Sequence, residues 1–108
     1  MTLNHIPLES ITLYRMALRE SINGNHHLSL KYLRTAVMLA PTFTLALCEM
    51  GRCHEKLGQY PEALSNYNKV LEIDSSHVEA EIKKNWVLNK IEISKKIIKT
   101  FKIGIVEG

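Results

Sequence analysis

Shifted by thirty-four residues, the sequence lies over itself, and this self-similarity limits the possible folds more than any other feature. Laying residues 10–43 over 44–77 aligns Leu13 with Leu47, Met16 with Met50, Gly24 with Gly58 and Leu30 with Leu64 as identities. Chemistry is kept at Ala17/Gly51, Ser29/Ala63, Leu33/Tyr67, Ala36/Val70, Val37/Leu71 and Leu39/Ile73. A chain with such a period builds one supersecondary unit twice and stacks the copies, because a single unit cannot bury its apolar face alone.

The second copy reads as a helix, a tight turn at Gly58, Gln59 and Tyr60, and another helix opened by Pro61, a residue suited to a first helical turn. Leu47, Met50, Tyr67, Val70, Leu71 and Ile73 recur at helical spacing. Gly51 and Ala63 are small where two helices approach closely, so the stretch is a helical hairpin packed on itself. Pro41 closes the first copy, since proline discourages the preceding helix from continuing.

A period of thirty-four with a glycine in the hairpin turn, a small residue early in the second helix and a proline at the exit resembles the tetratricopeptide repeat family. The resemblance covers repeat one, residues 10–43, and repeat two, residues 44–77. It departs from the family pattern where Glu20 and His54 stand in place of an aromatic residue and where Ser75 replaces the second exit proline. It implies an all-α fold: an α-α superhelix, or helical solenoid, of two antiparallel helical hairpins plus a capping helix, in a single domain. Ser76, His77, Val78 and Glu79 have the form of a capping box, which opens a fifth helix. This capping helix is expected over 78–99, with the β-branched, glycine-containing residues 100–108 as a flexible tail. A third full repeat is not expected. The offset places Glu81, Lys84 and Leu88 where a partner helix would pack, and two of these are charged, so the helix turns Ala80, Val87 and Ile91 inward and ends the array.

At 108 residues one domain is expected, and no apolar run reaches the roughly 18 to 20 residues that cross a bilayer. Residues 1–10 lack a basic stretch followed by a long apolar core, so no secretory signal is expected. Cys48 and Cys53 share a helix but sit on different faces, cannot bridge each other and point to a reduced, cytoplasmic setting. Neither they nor the adjacent His26 and His27 show zinc-ligand spacing, so no metal or cofactor is expected. Paired carboxylates, a phosphate-cradling glycine loop and a nucleophile with an orienting base are all missing from the pattern, and an enzyme is not expected.

The resemblance implies a protein–protein interaction module, a scaffold or adaptor that binds a partner peptide or helix in a concave groove lined by the first helix of each unit. Carried across residue by residue, the candidate groove comprises Ile11, Tyr14, Arg15, Leu18, Leu45, Glu49, Arg52, Lys83 and Trp86, with Glu79 and Ile82 beside them. One branch of the family clamps chaperone-tail carboxylates with lysine, arginine and asparagine. The corresponding places here hold Tyr14, Leu18, Glu49, Glu79 and Lys83, so the chaperone-type carboxylate clamp is missing and the acids would repel such a ligand. Trp86 is the leading anchor, with packing of its indole over Arg52 on the third helix as the bland alternative.

Residues 83–102 hold seven lysines and one acid, Glu92, a net +6 against +3 for the whole chain. The basic face formed by Lys95, Lys96, Lys99 and Lys102 offers an alternative function, contact with a surface or with nucleic acid. The expectation is instead a solvated face, with neither nucleic acid nor a membrane surface as partner. Ile93, Ile97, Ile98 and Phe101 exceed what a cap needs, which raises a homodimer through the C-terminal helix.

Overall fold

The computed structural model describes residues 5–107, with side chains described as far as Lys102. Among the described residues the chain forms five α-helices and no strand: α1 (Leu8–Ile22), α2 (His26–Leu39), α3 (Thr44–Lys56), α4 (Tyr60–Ile73) and α5 (Val78–Glu107). Residues 1–4, and Gly108 of the expected tail, lie outside the described residues.

The thirty-four-residue period reappears in the backbone. The bounds of α2 map onto those of α4, and α3 and α5 start one period apart. Both hairpin turns close in the same way. Gly24, at φ 84°, follows α1, and Gly58, at φ 73°, follows α3, in a left-handed conformation that glycine adopts without a Cβ penalty. Around Gly24, Asn25 N–H donates to Glu20 O at 2.8 Å and Gly24 N–H to Ser21 O at 3.0 Å; around Gly58, Gln59 N–H donates to His54 O at 2.8 Å and Gly58 N–H to Glu55 O at 3.0 Å. This pair of crossed bonds satisfies carbonyls that a helix end leaves free, and it fixes the angle at which α2 and α4 turn back.

Each hairpin is held together at a point of close approach. Ser29 Oγ donates to Ala17 O at 2.9 Å, and Ser10 Oγ donates to Ala36 O at 3.1 Å, tying α1 to α2 through buried groups. In the second hairpin the Tyr67 ring lies against the backbone of Gly51, and an added Cβ there would stand 2.6 Å from the ring. Packing is sequential, with α1 on α2, α2 on α3, α3 on α4 and α4 on α5. Phe43, Ala46 and Cys53 close the first hairpin's core, Leu47, Cys48, Val70 and Ala80 join α3 and α4 to α5, and Ala63 and Tyr67 pack with Val87.

Three local expectations are corrected. First, α5 does not end near Lys99. It continues to Glu107, because a single glycine costs a helix only about 1 kcal/mol and no proline follows. At 30 residues it spans about 45 Å and gives the molecule extents of 60 × 30 × 19 Å. Second, the capping box does not form. The Ser76 hydroxyl donates to Asp74 Oδ1 at 2.7 Å, and His77 becomes the cap, its Nδ1 accepting from Ala80 N–H at 3.1 Å. The imidazole outcompetes the serine because its Nε2 edge also reaches Cys48 Sγ at 4.0 Å on α3. Third, Leu39 and Ile73, paired by the repeat as core positions, remain 46% and 41% exposed at the ends of their helices.

Candidate partner-binding groove

The helices that begin each unit, α1, α3 and α5, carry all nine of the candidate groove residues. Their middle is a charge network. Arg52 Nη1 donates to Glu49 Oε1 at 2.7 Å, and its Nη2 reaches Glu79 across to α5. Glu49, which the groove reading put in the charged middle of the lining, is 7% exposed and consumed by this pair. One turn further along α3, Glu55 accepts from the Tyr67 hydroxyl and pairs with Lys83 Nζ at 3.6 Å. From the sequence Tyr67 reads only as a packing position, and nothing singles out Glu55. The available signal was the coupled exchange of Ala17 and Leu33 in repeat one for Gly51 and Tyr67 in repeat two, a side chain shrinking as its neighbour grows.

Apolar candidates flank the network. Tyr14 is half-buried with its ring 5.3 Å from Phe43, and Ile11 packs on the same cluster. Leu18 is half-buried, Arg15 exposed and Leu45 52% exposed. Trp86 does not lie over Arg52. Its ring meets Tyr60 of α4 edge-on at 6.0 Å, Lys90 Nζ sits 5.1 Å from the indole centroid, and 43% of the residue stays exposed. With Glu55, Lys56, Ile82 and Lys83 it lines an open hollow of about 550 Å³. Lys95, Lys96, Lys99 and Lys102 stand apart on the exposed stretch of α5.

Burial reshapes the acid–base chemistry of this cluster. Desolvation pushes the Cys48 thiol and the Tyr14 phenol upward, and burial together with the hydrogen bond to Glu55 carries Tyr67 far above the ordinary phenol range. All three protons are held more tightly folded than unfolded. Their contribution to stability is therefore fully present below the unfolded values of 9.0 and 10.0 and is lost as pH rises above them. Urea titrations should give a flat unfolding free energy across neutral pH and a fall beginning near pH 9; Tyr67→Phe should flatten that fall.

His26, the first residue of α2, is half-buried, and His27 is exposed. Both cysteines are free and buried. Among the described residues, no three His, Cys, Asp or Glu side chains gather as a metal site, and no helix is long and apolar enough to cross a membrane.

The family profile described as tetratricopeptide repeat matches residues 44–77, the unit formed by α3, α4 and the lead into α5. Residues 44–77 are a tetratricopeptide repeat. Among solved structures, the MamA RS-1 ArsTM double mutant superposes with a TM-score of 0.77 at 24% identity, over 83% of this chain and 51% of its own. That likeness gives the fold, a helical solenoid of stacked hairpins, and the chain spans about half the length of that relative. No curated protein matches the sequence. The first hairpin follows the tetratricopeptide pattern through the repeated turn and helix bounds rather than through a profile match of its own.

Proposed function

We propose that this tetratricopeptide array is an interaction module that holds a helix or extended peptide of another protein against the face shared by α1, α3 and α5. One observation carries the reading: the charges in the middle of that face are already paired among themselves, while Leu45, Ile82 and Trp86 keep 52%, 61% and 43% of their surface exposed. A carboxylate tail would find Lys83 engaged by Glu55 and Arg52 by two acids, so an apolar anchor gains more here than a charged one. The hollow beside Trp86 suits one such anchor, with the exposed Lys56 at its rim favouring an acidic residue next to it. This inventory supports binding rather than catalysis, and the two unbridged thiols favour a reducing, cytoplasmic setting.

Leu45→Glu and Trp86→Ala test the reading, because both side chains are substantially exposed and neither belongs to the charge network. Proteins captured from native lysate by the parent chain should be lost with each variant, by about tenfold or more in affinity, while the melting temperature holds. Capture that survives both substitutions removes the groove as the binding face.

A further inference from the structure

Beyond Ile91, α5 leaves the body, and every described residue from 92 to 102 is exposed. Four of them are large and apolar: Ile93, Ile97, Ile98 and Phe101, at 43%, 63%, 54% and 67% exposure. Their directions follow from the helical period, since eighteen residues make five turns. Ile98 points the way of Ala80, which is buried against α4. Ile97 points the way of Glu79, which binds Arg52, and Phe101 the way of Lys83, which pairs with Glu55. Ile93 follows Trp86 by about two turns. The bare stripe therefore continues, past the end of the body, the very side of α5 on which the body sits. Lys96 and Lys99 occupy the opposite arc, Lys99 in register with the exposed Glu81, while Lys95 and Lys102 flank Ile98 at the edge of the stripe.

This geometry selects the occupant. A broad anionic surface, whether bilayer or duplex, cannot lie along the stripe without meeting the body, and Lys96 and Lys99, which would contact its phosphates, face away. A single helix is slim enough. We propose that the stripe is covered by the same stripe of a second copy, the two α5 extensions packing antiparallel in a closed two-fold dimer. Parallel pairing would bring both bodies to one end on mutually facing sides, whereas antiparallel pairing places them at opposite ends. Stripe-to-stripe contact also leaves Lys96 and Lys99 of both copies in water, with Lys95 and Lys102 at its rim. Residues 92–107 extend for about 24 Å, and eight apolar side chains with their flanking stems bury on the order of 1,000 Å² in total, the lower limit of specific interfaces. The dimer is accordingly expected in the micromolar range, and it does not depend on what the groove binds.

Sedimentation equilibrium of the full chain over roughly 1–200 μM, bracketing that range, should show a monomer–dimer equilibrium. Ile97→Glu with Phe101→Glu should abolish it at unchanged helicity, since both side chains are exposed, and Lys95→Glu with Lys99→Glu should leave it intact. Overlapping over 92–107, the antiparallel pair sets position 98 opposite the mate's 101, so oxidising a mixture of Ile98→Cys and Phe101→Cys chains should favour the hetero-disulfide. A monomer at every concentration, a dimer indifferent to the Ile97 and Phe101 changes, or preferential homo-disulfides would overturn the proposal. So would a monomer that binds phosphatidylserine vesicles or duplex DNA through Lys95 and Lys99, which would assign the extension to an anionic surface.

Discussion

Gly51→Leu should destabilise the chain by about 3 kcal/mol and lower its melting temperature by roughly 15 °C. The first atom added is the problem, because a Cβ at this position stands 2.6 Å from two carbons of the Tyr67 ring. That ring has nowhere to go: Tyr67 is 1% exposed, packs with Ala63 and Val87, and is tethered by its hydroxyl to Glu55. Gly51→Ala isolates the clash. On helix propensity alone it should stabilise α3 by about 1 kcal/mol, so a net loss would have to come from the contact. Pairing Gly51→Ala with Tyr67→Leu rebuilds the combination that Ala17 and Leu33 make in the first repeat. The double variant should lose less than the sum of the single ones, a coupling that denaturant titrations of all four chains would resolve. Strict additivity would mean that the two residues do not press on each other.

The second large effect is expected at Arg52. Arg52→Glu sets three carboxylates together, with Glu49 unable to escape to water, and should destabilise the fold by about 3 kcal/mol. Partial exposure of the arginine side chain, 38%, keeps the loss below that of a fully buried pair. The residue that sequence reasoning placed in the groove as a binding contact is thus also a rivet between α3 and α5, and its charge reversal cannot serve as a clean binding mutant. Arg52→Met together with Glu49→Gln removes the arginine and its buried partner's charge and should recover most of the loss. A melting curve for Arg52→Glu that overlays the parent's would show that the pair contributes nothing.

The fold was legible because it rests on repetition. Gly24 and Gly58 announce two identical turns, and the small residues Ala17, Ser29, Gly51 and Ala63 announce two close crossings. Each of these signals is local or falls at a fixed offset. What escaped depends on competition between partners that only the folded chain brings together. Ser76 matches the capping pattern, but whether it or His77 caps α5 is decided by Asp74 and by Cys48, twenty-nine residues away. Glu49 and Arg52 are three apart on α3 and their pairing is local, but the burial of Glu49 and the reach of Arg52 to Glu79 on α5 depend on the packed helices. Trp86 lies a period after Arg52, which made packing over it the alternative to an anchor role, yet the ring meets Tyr60, from the start of α4. The end of α5 was misjudged because β-branched residues lower helix propensity only slightly, and a helix already fourteen residues long when it leaves the body extends at little cost.

The sequential packing of the helices also sets how the molecule comes apart. Because α1 and α2 reach α5 only through α3 and α4, a disturbance at one end is felt at the other only as far as each intervening junction passes it on. Opening is thus graded along the chain: the terminal hairpin can peel from α3 while α4 and α5 stay closed, and amide protons should exchange fastest at the two ends and slowest around Leu47, Val70 and Tyr67. A partner that bridges α1 and α5 across the groove would connect ends that otherwise breathe independently, so occupancy would be readable as slowed exchange far from the contact itself.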